Sequence, residues 1–229
     1  MPRLDNYRSY GGGFPTTAAI AGALEWQGAM NPWTGEPYSE ALLAGLGGGI
    51  AFGYFVFAYE DVDPQVNIVT RNTFDDYGWD AVCPRLGLVR DVINATSDAR
   101  GRENLVATLE QGRAPIVWPD VLSLGYERSD LGDEMWMTMP VVVTAYEPQG
   151  EALLDDRASV PIRVDSRTLD AARARVKKDR QRLVTIDLPE PADLAASVRE
   201  SIASCIALFT EKPPRGSARN FGFRAYERR

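Results

Sequence analysis

The stretch ENLVATLEQGRAPIVW, Glu103 to Trp118, is where the chain changes its texture. Leu105, Val106 and Leu109 recur at helical spacing, and Gly112 closes the run, so a helix is expected over 103–111. Beyond Gly112 the apolar residues crowd into Ala114–Trp118, a short run of strand type. The same change holds on either side. Upstream, Pro15 to Gly28 reads as a helix: Pro15 suits its first turn, Ile20, Ala23, Leu24 and Gln27 share one side, and Gly28 stops it. Ser39 caps a short helix through Leu46, with Glu40 in its first turn. Downstream, Met139–Tyr146, Glu151–Leu154, Val160–Val164 and Arg182–Ile186 read as strands, interrupted by a helix over Thr168–Lys178 capped by Ser166. Helices lead and an antiparallel sheet follows, which argues an α+β class.

The remaining segments fit that frame. Phe52–Tyr59, Val66–Thr70 and Leu88–Ala95 are strand candidates, and Asp76–Leu86 is a helix that Pro84 must kink or end. Asp193–Phe209 is a strong helix. Its residues Leu194, Val198, Ile202, Cys205, Ile206 and Phe209 form one apolar stripe. A basic tail follows, with Phe221, Phe223 and Tyr226 read as exposed aromatics. The domain reading is 1–188 for the α+β domain and 189–229 for a C-terminal helix and tail.

Composition excludes much chemistry. Among 229 residues there is no histidine and there are two cysteines. No Ser-His-Asp triad, Cys-His pair, His-ligated metal or Cys₄ zinc site can be built, so no metal and no cofactor are expected. The most apolar stretch, Ala41–Tyr59, is broken by five glycines and does not read as a membrane span. The start of the sequence lacks the pattern of a secretory leader, and with few thiols a cytoplasmic home is the expectation. Residues 1–160 hold 10 basic and 23 acidic side chains, a balance of −13, while residues 161–229 hold 15 and 9, a balance of +6. An overall charge of −7 disfavours nucleic acid as a partner. The basic run Arg173 to Arg182 is read as a solvated helix face.

Individual motifs are weak. Gly45 to Gly53 lacks the G-x-G-x-x-G spacing and follows a helix, so it reads as a close-packed turn. Cys83 and Cys205 sit on apolar helix faces without an activating base. Asp155-Asp156-Arg157 ends a strand, where neighbouring side chains point to opposite faces. One aspartate can turn inward while the other meets solvent or Arg157 in a surface ion pair.

The order Gly12-Gly13-Phe14-Pro15-Thr16-Thr17-Ala18-Ala19-Ile20, then Gly35-Glu36-Pro37-Tyr38-Ser39-Glu40-Ala41-Leu42-Leu43, then Gly47-Gly48-Gly49-Ile50 and Gly53-Tyr54-Phe55, resembles the N-terminal domain of the butirosin-biosynthesis protein H family. Met139-Pro140-Val141-Val142-Val143, Asp155-Asp156-Arg157 and Leu169 to Arg175 are similar to its second half. Asn220-Phe221-Gly222-Phe223 is similar to the opening of the helical domain that often follows. The resemblance implies a papain-like fold, with N-terminal helices packed on a mostly antiparallel sheet, and an acyltransferase ancestry. A cysteine would open the first long helix, a histidine a central strand, and an acid on the next strand would orient it.

On that frame Pro15 replaces the cysteine, Phe14 stands where a histidine often precedes it, and Met139 replaces the base. Only the acid, Asp155 or Asp156, is matched. Proline also deletes the backbone N–H that would serve as an oxyanion donor. No catalytic residue is therefore assigned, and Phe14, Thr16, Thr17, Glu40, Tyr54, Asp155, Asp156 and Arg157 are the ligand-binding candidates. Thr16 and Thr17 offer N–H groups near a helix start that suit an anion. Three functions are compatible with this reading. One is a degenerate protein binding a small-molecule, acyl-carrier or protein partner. Another is an acyltransferase working by direct transfer, an aspartate acting as base. The third is a structural subunit, as a homo-oligomer or in a larger assembly.

Overall fold

The computed structural model describes residues 1–49, 52–59, 62–69, 79–126, 136–188, 190–211 and 219–227. In chain order its elements are α1 (Pro15–Trp26), α2 (Glu40–Leu46), β1 (Gly53–Tyr59), β2 (Val62–Val69), α3 (Trp79–Leu86), β3 (Val89–Ile93), α4 (Asp98–Glu110), β4 (Ile116–Val117), β5 (Val141–Tyr146), β6 (Glu151–Asp155), β7 (Ile162–Asp165), α5 (Ser166–Arg175), β8 (Leu183–Asp187), α6 (Leu194–Thr210) and α7 (Gly222–Glu227). The class is α+β, with two antiparallel sheets among the described residues. The chain divides into two compact units, Met1–Glu40 with Val89–Asp187, and Ala41–Leu88 with Leu188–Arg229.

The first unit is built on a six-stranded sheet of order β3-β8-β4-β5-β6-β7. β5, Val-Val-Val-Thr-Ala-Tyr, is buried at every position, because helices cover it and β-branched side chains fill a pleated interior surface well. α1 and α4 both lie against β5 and β8. β4 is two residues long. Past it, residues 2–4 line the same strand, with the Leu4 N–H on Thr144 O at 2.8 Å and the Tyr146 N–H on Pro2 O at 3.0 Å. α5 is capped by Asp165, whose Oδ1 accepts from the N–H groups of Arg167 and Thr168. The cap expected at Ser166 thus belongs to its neighbour. Ser166 is buried and donates to Glu147 O at 2.7 Å.

The basic run does not form a solvated face throughout. Arg173 is buried, and donates to the carbonyls of Gly101 and Gln181. Arg182 lies over the Trp118 ring at 4.5 Å from its centroid. Arg173's guanidinium is brought down to about 10 by burial, a direction that costs a charge its hydration.

The second unit pairs the β1–β2 hairpin with α2, α3, α6 and α7. Phe221 is buried against Phe55 at 5.4 Å, not exposed as the tail reading expects, while Phe223 and Tyr226 are exposed. α6 buries a face that only partly coincides with the apolar stripe. Its buried face is Leu194, Ser197, Ser201, Cys205 and Leu208. Ile202 and Ile206 of the stripe are 50% and 57% exposed. The small serines let backbone approach and meet carbonyls directly: Ser197 Oγ donates to Arg85 O at 2.5 Å and Ser201 Oγ to Ser197 O at 2.8 Å. Arg85 completes the seam, donating to Leu46 O at 2.6 Å and Ser204 Oγ at 2.7 Å. Val198, Ile202, Cys205, Ile206 and Phe209 of the stripe line a cavity of about 560 Å³, together with Leu42, Leu46, Ser201 and Phe223. Among the described residues no helix is long and apolar enough to cross a membrane. Asp76–Gly78, Thr70, Ile50 and Ala51, which the sequence reading includes in elements or motifs, lie outside the described residues, as do 212–218 and 228–229 of the tail.

Candidate functional site

The candidate positions of the first unit gather at the start of α1 and the end of β6. Gly11 and Gly12 have φ of 119° and 134°, a backbone that L side chains rarely adopt. Phe14 is the extended N-cap residue of α1, and it has no side chain able to cap. Pro15 follows at the first helical position, buried and without an N–H. The N–H groups before it are claimed from elsewhere in the unit. Glu40 Oε1 accepts from the Gly13 N–H at 3.0 Å, and Oε2 accepts from the Phe14 N–H at 3.1 Å. Thr17 Oγ1 donates to Glu40 Oε2 at 2.9 Å. A negative charge at this end also meets the positive end of the helix dipole. A Cβ on Gly12 would come within 2.8 Å of Glu40 Oε1 and 2.5 Å of the Ala18 Cβ, so the carboxylate seats only because residue 12 is glycine. Thr16 and Thr17 are buried, and the Phe14 ring is exposed.

Asp155 ends β6 opposite Val142. Its carboxyl is buried. Tyr7 Oη donates to Oδ2 at 2.5 Å, and the Gly11 N–H donates to Oδ1 at 3.2 Å. Burial raises its pKa to about 6, against the lowering pull of those two donors, with Asp156 and Glu25 adding repulsion. The Tyr7 hydroxyl is itself pushed up, by burial and by the neighbouring Asp155. Gly22, in the middle of α1, leaves the space: a Cβ there would strike Tyr7 Oη and come within 3.0 Å of Asp155 Oδ2.

Asp156 meets different partners. Arg157 grips it through Nε at 2.8 Å and a terminal nitrogen at 3.2 Å, and Tyr126 Oη donates at 2.7 Å. The pair forms next to the strand end, but the aspartate is buried, so it is not the surface ion pair of the simplest reading. Arg157 sits at φ 55°, the left-handed turn that folds its side chain back onto residue 156.

Met139 is half-buried two residues ahead of β5, its N–H on Pro119 O at 3.3 Å. The segment before it is fixed by Asp120, fully buried. Asp120 accepts from the Met137 N–H at 2.8 Å and Ser123 Oγ at 2.5 Å, and pairs with Arg175 at 3.2 Å. Tyr54 belongs to β1 of the second unit, half-buried, its N–H on Asn220 O at 2.8 Å.

Chemically, the described positions offer four carboxyls, Glu40, Asp120, Asp155 and Asp156, and several hydroxyls. Each carboxyl is already bonded by donors of the same unit. At positions 15 and 139 there is neither a nucleophile nor a proton acceptor. Among the described residues no group of three or more Cys, Asp or Glu side chains is arranged to hold a metal. Tyr7, Asp120 and Tyr126 were not among the candidates read from the sequence. Tyr7 and Asp155 are separated by 148 positions, so no spacing rule joins them. The visible signal was Gly22, since a mid-helix glycine costs about 1 kcal/mol and asks for a close neighbour.

A family model described as Butirosin biosynthesis protein H, N-terminal, matches residues 15–157, well over half of the chain. The match takes in Pro15, Glu40, Met139 and both aspartates. No curated protein matches the chain.

Proposed function

The chain belongs to the butirosin biosynthesis protein H N-terminal family, and from that premise we propose that it is a catalytically degenerate relative of carrier-protein-dependent acyltransferases, on a papain-like scaffold, that binds a small molecule or protein partner. The observation that carries this reading is Pro15 at the first position of α1. In acyl transfer through a cysteine, a residue there supplies both the thiolate and an N–H to the developing oxyanion. Proline supplies neither. Met139 removes the proton carrier, and the surviving acids hold structure: Asp155 binds Tyr7 and Gly11, and Asp156 binds Arg157 and Tyr126. Catalytic residues act as a unit, so an acid left alone contributes little.

A second reading, direct attack of a bound amine on a thioester with Asp155 as base, is favoured by one feature. The carboxyl is buried and titrates near the range a general base needs. The two readings separate in one experiment. The protein, at concentrations equal to substrate, is incubated with an acyl-carrier thioester and an aminoglycoside amine, and amide formation is followed. The expected rate is that of the protein-free mixture. Faster transfer that falls in Asp155→Asn supports the direct mechanism. Faster transfer that survives Asp155→Asn and Asp156→Asn, and stops when Gly13 is replaced by a bulky residue, overturns both readings.

A further inference from the structure

The cavity of the second unit has a shape that follows from one helix. Val198, Ile202, Cys205, Ile206 and Phe209 lie on one face of α6 and all line it. At 1.5 Å per residue that face is about 16 Å long, so the volume of about 560 Å³ is drawn out along the helix. α2 adds Leu42 and Leu46, and leaves room through Ala41 and Gly45, one turn apart. Phe223 of α7 meets Phe209 edge-on at 5.3 Å and closes one end. Gly222, at φ 61°, permits that approach, since a Cβ there would come within 2.8 Å of the Phe209 Cα.

The lining selects by chemistry as well as by length. Among the described residues that line the trough there is no charged side chain. Its two hydroxyls are turned to their own helix: Ser201 Oγ donates to Ser197 O at 2.8 Å, and Thr210 Oγ1 to Ile206 O at 3.0 Å. A polar group entering here would lose its water and gain little. An apolar one would cover Ile202 and Ile206, both at least half exposed. The connection from α6 to α7, Lys212-Pro213-Pro214-Arg215-Gly216-Ser217-Ala218, carries no large apolar side chain that could fill the trough. A concave site of this volume also has the form of a small-molecule site, where a protein partner needs a broad face. We propose that the second unit binds one straight hydrocarbon chain in this trough, the chain of a free aliphatic amphiphile whose polar head stays in water on the open side. This goes beyond the proposed function and does not rest on it, since every lining residue belongs to the second unit and no turnover is involved.

Calorimetric titration of the full chain with 1-hexanol, 1-octanol and 1-decanol tests this, with 1-adamantanol as a compact molecule of the same carbon count as decanol. The expected result is one saturable site, with affinity rising about fourfold for each added methylene. Decanol should bind about tenfold or more tighter than adamantanol, which leaves the length of the trough unfilled. Ala41→Phe narrows the trough from an exposed helical position, and Ile202→Gln places an amide in its wall. Each should weaken decanol by about tenfold. Val160→Gln, which removes an exposed apolar side chain of the first unit, should leave the affinity unchanged. Absence of a saturable heat, equal binding of decanol and adamantanol, or equal affinity in wild type and Ile202→Gln overturns the inference. So does a dimer in sedimentation velocity that Ile202→Gln dissociates, which would give the stripe to a second copy.

Discussion

At the end of β6 a carboxyl is held in a place that favours its neutral form, and this has a measurable sign. Asp155 titrates near 6 in the folded chain, above the ordinary carboxylate range. A raised folded pKa means that the native state binds its proton more tightly than the unfolded chain does. Below the unfolded value this costs nothing. As pH rises toward 6 the unfolded state ionises first and stability declines, and above 6 the loss is complete. Asp155→Asn removes the ionisation while keeping an acceptor for Tyr7. Its stability relative to wild type should therefore rise between pH 4 and 6.5 by on the order of 2–3 kcal/mol and then level off. Urea midpoints of both proteins across that range check it. A difference that stays flat would mean that Tyr7 and Gly11 hold the carboxyl near its ordinary value. Glu40 differs in its surroundings: it accepts from the N–H groups of Gly13 and Phe14 at the start of α1.

At the scale of elements, sequence period located helices and strands well. β5 is visible as a β-branched run, β6 as a short apolar run between turn residues, and α1 as a proline-led helix closed by glycine, because local propensity and final packing agree there. The cap of α5 shifted by one residue because Asp165 and Ser166 are both good caps, and the buried place beside Glu147 O takes the serine. α6 exposes the limit more clearly. A hydrophobic stripe at helical spacing says that an apolar face exists. It does not say that this face meets the core. Here the serines pack, since their hydroxyls satisfy the carbonyls of Arg85 and Ser197, while Ile202 and Ile206 face the cavity. Mutation should invert the usual rule of hydrophobic positions. Ser197→Leu, forced against the close approach to Arg85, should lower stability by about 1–3 kcal/mol. Ile202→Gln should change it by no more than about 0.5 kcal/mol. Chemical denaturation of the two variants tests this, and a larger loss from Ile202→Gln would return the stripe to the core. The site was legible in part for a similar reason. Pro15 and Met139 are single positions that a family frame can mark. The partners of the acids, Tyr7, Gly11 and Tyr126, are brought in by the fold from segments with no local signature.

Over the whole molecule, the missing histidine bears on more than one residue. With no imidazole anywhere in 229 residues, no histidine elsewhere can stand in for the one that the proposed reading finds replaced at position 139. The first unit has instead bound its remaining polar groups to one another: Glu40 to the turn before α1, Asp155 to Tyr7, Asp156 to Arg157, and Asp120 to Arg175. Such a network holds a shape, and in the proposed reading none of these four carboxylates carries an acyl chain. Covalent acylation is the step that separates a scaffold without a nucleophile from one that works through an acyl-enzyme. Intact-mass measurement of the protein after incubation with an acyl N-acetylcysteamine thioester reads it directly. The expected result is an unmodified mass, with thioester consumed at the protein-free rate. A protein carrying one acyl group, formed faster than in the unfolded chain, would contradict the loss of the nucleophile at Pro15.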